Sequence, residues 1–397
     1  MKNDWKNCQL GEVLTFQRGF DITKKEQRDG PYKVFSSSGP KSTHAVYKVK
    51  GPGVIIGRKG TLGSVFFTRD NYWPHDTTLW VRNFHGNDQK FAYYFIQTMG
   101  FEKLDVGAAN PSLNRNHIHT IPVQYPHLPV QRKIAAILSA YDDLIANNLR
   151  RIKILEEMAQ NLYREWFVKF RFPGHQHARF TDCPLGRIPE GWEVCTVENT
   201  FAIMGGGTPS KTVPEYWDEG IINWYSPTDL TATNSMFMER SGNQISELGL
   251  KKSSARLFPP FSVMMTSRAT LGVISINTTE ACTNQGFITC VPNERFRLYT
   301  LYYWLKGNVE YFISLGTGAT FKEITKGVFK TIELVVPTQA IAAQFEDTVQ
   351  QFALRVLNLQ RKNTVLRRTR DLLLPRLISG EVDVSELDIA VPEEGKA

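Results

Sequence analysis

The chain has no Cys-x-x-Cys pair, and its five cysteines (Cys8, Cys183, Cys195, Cys282 and Cys290) are odd in number and scattered. A disulfide framework and a structural zinc site are therefore excluded as organising devices, and a reducing cytoplasm is the expected home. No apolar run approaches the roughly 18 residues that a membrane span requires. The opening MKNDWKNCQLGEV has no apolar h-region, so no secretory signal is expected. The eight histidines include no HExxH spacing, which leaves a hydrolytic metal site without support.

Cofactor and catalytic motifs are also incomplete. GGGTPSKT (205–212) comes within one residue of a phosphate-binding loop, but Ser210 replaces a glycine and the VPEYWDEG that follows cannot start a good helix. GTGATF (316–321) has Phe321 where a dinucleotide fingerprint needs its third glycine. NPSL (110–113) begins like the catalytic loop of adenine methyltransferases but lacks its second proline and its aromatic. The one ExK, Glu394-Gly395-Lys396, lies in an acidic tail (383–397) expected to be disordered. An enzyme complete in one chain, nuclease or methyltransferase, thus has no motif to rest on, and neither a catalytic residue nor a metal ligand is assigned.

What is present is ordinary soluble composition, 42% apolar and 22% charged, over a length sufficient for two or three domains. The net charge of +8 is unevenly shared. Residues 1–125 carry 17 Lys and Arg against 10 Asp and Glu, whereas residues 173–337 carry 14 against 15. A basic half suggests a polyanionic partner, and a neutral half does not exclude one if its cations cluster on one face.

The chain also repeats itself. GRKGTLG (57–63) returns as TSRATLG (266–272), and the strands that follow, SVFF (64–67) and VISI (273–276), align with it. Thr120-Ile121 and Pro126 match Thr331-Ile332 and Pro337, while Trp5 and Cys8 match Trp192 and Cys195. A long colinear series of this kind marks an internal duplication. After each proline comes a 3-4-3-4 apolar pattern, sustained for about three to four heptads. In the first copy it runs through Leu138, Tyr141, Ile145, Asn148, Ile152, Leu155, Ala159 and Leu162. In the second it runs through Val349, Phe352, Val356, Leu359, Asn363, Leu366, Arg370 and Leu373. Asp142, Arg150, Arg151, Glu156, Arg361 and Arg367 fall on the outer faces. The seam asparagines Asn148 and Asn363 either fix a register, because a buried amide must find a partner, or are merely tolerated.

Two such helices, each about 40 residues and roughly 60 Å long, pack most simply on each other. Because the unit is repeated, the second must run back antiparallel to the first. The expected fold is mixed α/β (α+β): two similar globular domains held apart by two antiparallel coiled-coil helices, with internal pseudo-two-fold symmetry. Short β-like runs (VIIG, SVFF, LWVR; SVMMT, VISI, FITCV) alternate with helical stretches and with loops such as SSSGPKST, GGGTPS and YSPTD.

A similar surface presented twice suits a reader of two DNA half-sites, since base edges are contacted by Arg, Lys, Asn, Gln, Ser and Thr. The candidates in the first copy are Lys41, Ser42, Arg58, Lys59, Thr61, His75, Asn114, Arg115 and Asn116. In the second they are Lys211, Ser267, Arg268, Thr270, Asn284, Gln285, Thr320 and Lys322. A scaffold that joins partner proteins through its helices, without reading DNA, is the alternative.

Three longer stretches, NLYREWFVKFRFPG (161–174), PLGRIPEGWEV (184–194) and LLLPRLISGEVDV (372–384), resemble the specificity subunit of type I restriction-modification systems; GGTPS (206–210) and IINWYSPTDL (221–230) resemble the start of a recognition domain of that family. The likeness covers nearly the whole chain. It implies target-recognition domains at 1–126 and 173–337, a central helical region at 127–172 and a C-terminal one at 338–382. It further implies a non-catalytic reader of a bipartite double-stranded DNA target, with the helices setting the gap and docking two modification subunits. Those partners would bind S-adenosylmethionine and methylate adenine, and restriction subunits would add ATP- and Mg-dependent cleavage, so no cofactor is expected in this chain. Trp166, Phe167, Phe170 and Phe172 crowd one helix end more than a two-helix seam needs. They either plug it into the core of the second domain or form part of the docking surface.

Overall fold

In the computed structural model, residues 5–104, 112–318 and 322–391 are described. Two compact units emerge, one made of residues 1–147 with 362–397 and the other of residues 148–361. The boundaries at 147/148 and 361/362 fall inside two unbroken helices, Leu128–Tyr163 and Gln339–Ile378. The divisions expected from sequence, at 126/127 and 337/338, instead fall just before each of these helices begins. Ile134, Ala135, Leu138, Leu377 and Ile378 are buried in the core of the first unit. Ile152, Ala159, Tyr163, Phe345, Val349 and Val356 are buried in the core of the second. Each helix therefore contributes apolar side chains to both cores.

Both units are mixed α/β with the same plan. The first opens with an antiparallel pair, Lys6–Gln9 on Pro122–Tyr125. It continues with a four-stranded antiparallel sheet in the order Thr15–Arg18, Thr78–Asn83, Gly53–Gly57, Val65–Thr68. A three-stranded sheet follows, Gly39–His44, Tyr32–Ser36, Tyr72–Pro74, its last pair parallel. The second unit repeats the opening pair as Glu193–Thr196 on Glu333–Val336. Its larger sheet is ordered Ala202–Gly205, Phe287–Val291, Val263–Thr266, Ile274–Asn277, with Phe237–Met238 added at the edge. Its smaller sheet is Asn243–Ile245, Ile222–Tyr225, Ala281–Thr283, again with a parallel pair. Every residue of Gly53–Gly57 and of Val263–Thr266 is buried. This explains why VIIG and VMMT read as unbroken apolar runs rather than as an alternating pattern.

Within the first unit the two long helices run antiparallel. Lys133 Nζ donates to Ser385 O at 2.6 Å, while Asp142, further along, pairs with Arg370 at 2.5 Å. Asp142 is not on a free outer face, as the heptad pattern suggests. Its other carboxylate oxygen receives the Tyr94 hydroxyl, from the helix Gln89–Gln97. Arg370, which the pattern places on the seam, is drawn aside to bond Asp142 and Asp371. All the seam residues of both helices, Arg370 included, are buried or half-buried, Asn148 and Asn363 among them.

Two further segments are placed by the structure. Trp166, Phe167, Phe170 and Phe172 are packed within the second unit. Phe167 meets Phe345 at 4.8 Å between ring centroids, and Phe170 and Phe172 each meet Trp192 at 5.5 Å. A π turn, Arg164–Val168, and a left-handed residue, Phe170 (φ 54°), bend the chain so that these rings converge. Trp166 and Phe172 are buried and Phe167 and Phe170 half-buried, so much of their area is used in the core, the first of the two roles expected for them. The acidic tail is ordered as far as it is described: Val384 is 1% exposed and sits in the core of the first unit, and Gly380 (φ 70°) turns the chain against the Trp5 ring. Val382 and Ile389 pack against the same core, and Ser385 O accepts from Lys133; residues 392–397 lie outside the described residues. Among the described residues no helix is long and apolar enough to cross a membrane.

Two outcomes follow from these contacts. Asp142→Ala removes the acceptor of both Tyr94 and Arg370 in a half-buried setting, and should lower unfolding free energy by about 2 kcal/mol in urea titration. No loss would mean that Arg370 is held well enough by Asp371 alone. Glu346 accepts the Tyr299 amide with both carboxylate oxygens at 3.1 Å, yet burial pushes its carboxyl up to about 7 from 4.5. An acid raised in the folded state favours folding while protonated, so that contribution is lost as pH rises from about 4.5 through about 7. Glu346→Gln should flatten the thermal midpoint across that window, and a slope that persists would assign the titration to another group.

Candidate nucleic-acid interface

The duplicated loops join equivalent strands. In the first unit Val54 faces Phe67 and Ile56 faces Val65; 209 residues later Val263 faces Ile276 and Met265 faces Ile274. Between the strands the main-chain bonds are the same. Gly57 N donates to Ser64 O at 2.8 Å and Gly63 N to Gly57 O at 3.0 Å. Thr266 N donates to Val273 O at 3.0 Å and Gly272 N to Thr266 O at 2.9 Å. Left-handed residues also coincide: Gly60 (φ 79°) and Gly63 (φ 71°) against Ala269 (φ 63°) and Gly272 (φ 94°).

Backbone bonds tie two further segments to each loop and two more to the turn after the parallel strand. Arg58 N donates to Thr77 O, Leu113 N to Arg58 O, His75 N to Phe35 O and Phe20 N to Pro74 O, all at 2.8–3.0 Å. In the second unit Ser267 N donates to Gly286 O, Ile324 N to Ser267 O, Asn284 N to Tyr225 O and Gly207 N to Thr283 O, at 2.8–3.0 Å. Single-residue bridges, Lys59 with Ser112 and Arg268 with Glu323, close the pattern. The loop, the turn after the parallel strand and the approach to the last short helix thus form one surface in each unit. Main-chain bonds hold it, so the side chains on it are free to differ.

They do differ. Arg58 is matched by Ser267, Lys59 by Arg268, His75 by Asn284 and Asp76 by Gln285; Thr61 and Thr270 are the same. Lys59, Thr61, Arg268, Thr270 and Gln285 are exposed, and Arg58 and His75 are half-buried. Burial, and after it the charge of Arg18, lowers the proton affinity of Arg58, with Asp76 opposing; an arginine stays cationic throughout. Arg268 lies 3.6 Å from Glu323, and Thr208 donates to Gln285 at 2.6 Å.

The remaining candidates divide. Ser267 is only 3% exposed, because its position is the one pinned between Gly286 and Ile324, so it cannot reach a groove. Ser42 is half-buried and donates to Gln27; Lys41 is exposed on the same strand. The Asn114 side chain caps the short helix Arg115–His119 by accepting from Asn116 N, leaving Arg115 and Asn116 exposed beside it. Asn284 Oδ1 accepts from Gly286 N and shapes its own turn. Lys211 is exposed on the 206–213 loop, which leads into a short 3₁₀ turn, Pro214–Tyr216, and makes no phosphate-cradling helix start. Lys322 is exposed and donates to Ile313 O at 3.3 Å; Thr320 lies outside the described residues.

Sequence reasoning missed Arg18, Asp76, Thr208, Glu323 and Lys326. Applying the repeat offset at the strand ends, Arg18 to Gly205 and Asp76 to Gln285, would have raised the first two. Asp21, His75 and Asp76 bring one ligand atom each within 4.8 Å of one another, but Arg18 pairs with Asp76 at 2.8 Å and places a cation where a metal would need none.

Ala269 occupies a left-handed conformation that costs an alanine about 1–2 kcal/mol, less about 0.4–1 kcal/mol of unfolded-chain entropy that glycine forfeits. Ala269→Gly should therefore raise the thermal midpoint of the protein by about 1–3 °C, and Gly60→Ala should lower it similarly. A drop for Ala269→Gly would show that the methyl group is needed for packing.

The model of a family described as type I restriction modification DNA specificity domain matches residues 2–157 and 189–367. The chain is 30% identical over 205 residues to the MjaIX specificity subunit of Methanocaldococcus jannaschii, a match spanning 51% of this chain and 46% of that protein. It is 23% identical over 330 residues to the HindI specificity subunit of Haemophilus influenzae, covering 68% and 71%. The crystal structure of a type I restriction-modification S subunit from M. genitalium shares the fold, with TM-score 0.60 at 15% identity over 94% of this chain and 96% of that one.

Proposed function

The chain belongs to the type I restriction-modification DNA specificity family, and on that footing we propose that it is the DNA-reading subunit of such a complex. Each unit reads one half of a bipartite target in double-stranded DNA. The long helices set the gap and dock two modification subunits, which bind S-adenosylmethionine and methylate adenine at N6; restriction subunits add cleavage that uses ATP and Mg. The chain itself supplies recognition and no catalytic step.

The observation that carries this reading is the backbone lattice built twice with different side chains. A lattice held by main-chain bonds gives two surfaces of one shape. Changing Lys59 to Arg268, His75 to Asn284 and Asp76 to Gln285 gives them different donor and acceptor patterns. Same shape with different chemistry suits an asymmetric target whose halves are approached alike and read differently. The net neutral second unit still exposes Lys211, Arg268 and Lys322 on its loops. Docking of two identical partners is supported by a second repeated feature. Ile154 and Val365 stand 211 residues apart, at the same position of the two long helices, and are 54% and 63% exposed. An exposed aliphatic at the same repeat position offers two equivalent contacts to two copies of one partner.

The decisive experiment maps modified bases by single-molecule sequencing after expression with the partner modification subunit in a methylation-free host. A two-part motif with a fixed gap and one methyladenine in each half is expected. A soluble assembled complex that leaves no new methylation would favour the scaffold that joins partner proteins without reading DNA.

A further inference from the structure

The candidate surface of the first unit has an acid at its centre. Asp76 Oδ2 accepts from Arg18 Nη2 at 2.8 Å, and Asp76 Oδ1 lies 2.9 Å from His75 Nδ1. Its main-chain oxygen lies 3.4 Å from Arg58 Nη1, and Asp21 is close by. A surface that only had to hold phosphates would gain nothing from two carboxylates among its cations, since each cancels charge that would release counterions. What a carboxylate does supply to an arginine is direction. It fixes the plane of the guanidinium and leaves its other donors aimed one way.

Arg18 is placed for that use. It ends the strand Thr15–Arg18, its side chain is 53% exposed, and Asp76 is one-fifth exposed beneath it. Nη2 carries two hydrogens, so it serves Asp76 with one and still offers, with Nη1, a parallel pair of donors to solvent. A planar pair of donors matches the O6 and N7 acceptors of guanine in the major groove. The second unit keeps a cation at this place by another route. Gly205 replaces Arg18, and a Cβ built on it would run into the Lys326 ammonium, which arrives from the helix Lys326–Lys330. There Gln285 replaces Asp76 and Thr208 replaces Asp21, so the lysine has neither the planar fork nor the acid that orients one.

We infer that Arg18, oriented by Asp76, contacts a guanine in the half-site read by the first unit, and that the second unit lacks this contact. Arg18 is the specificity residue and Asp76 its positioning residue. The inference rests on the DNA-reading function proposed above.

The test uses the complete chain assembled with its modification subunit and reads both the methylated motif and the salt dependence of DNA binding. Wild type should show a guanine in one half-motif whose replacement abolishes modification. Arg18→Lys keeps the charge but loses the fork, and Asp76→Asn keeps the shape but loses the acid. Each should relax that one position by about tenfold to a hundredfold, with the other half, the gap and the salt slope unchanged. Asp76→Glu should restore discrimination at least in part, which a purely structural role in folding would not make specific to one base. An unchanged motif in both variants overturns the inference. So does a uniform loss at all sites with a salt slope smaller by about one, which marks a phosphate contact. A wild-type complex without any bipartite motif would instead sink the DNA-reading function itself.

Discussion

The candidate interface depends on a set of main-chain hydrogen bonds made twice, among them Leu113 N to Arg58 O and Ile324 N to Ser267 O, each at 3.0 Å. These two tie the loop after the central strand to the segment before the last short helix. Because their donors and acceptors are backbone groups, they survive any side-chain change that respects the local φ and ψ. The turn that closes each loop, Gly63 N to Gly57 O and Gly272 N to Thr266 O, needs left-handed positions within it. Glycine meets that constraint at 60, 63 and 272, and an alanine meets it at a cost at 269.

This division of labour accounts for how one scaffold carries two chemistries. The fully buried strands Gly53–Gly57 and Val263–Thr266 anchor the loops in the core, where apolar packing dominates the energetics. The loops stand beyond the strand ends, where Lys59 and Arg268 cost little to exchange. The long helices obey the opposite rule. Most of their seam residues are committed to the two cores; of the apolar side chains they leave exposed, Ile154 and Val365 coincide in the repeat, whereas Leu144, Leu149, Met158, Leu354 and Leu372 do not.

The charge pattern gains meaning only in three dimensions. The basic balance of residues 1–125 suggested a simple electrostatic attraction to DNA. In the structure, two of those cations are spent on neighbouring acids: Arg18 on Asp76 and Arg69 on Asp143. In the exposed Arg69–Asp143 pair solvent screening leaves little stabilisation. In the Arg18–Asp76 pair the acid orients a donor, a role that no count of charges can reveal.

The duplication, the strand pairs at GRKGTLG and TSRATLG, the two long helices and the family likeness were all legible in the residues, because each is a matter of local pattern and spacing. The placement of Trp166, Phe167, Phe170 and Phe172 was not: the same ring-rich segment serves a core or a partner equally well until Trp192 and Phe345 are seen to cover it. Ser267 looked like its exposed neighbours until its neighbours in space, Gly286 and Ile324, closed over it. The order in the 383–391 segment rests on Val384 meeting a core more than two hundred residues away in sequence. What the sequence determined by itself was the repeated scaffold, since periodicity and backbone conformation are properties of neighbouring residues. What only the tertiary structure decided was which side chains remain on the surface and which acid orients which arginine, because burial and ion pairing are set by residues far apart in the chain.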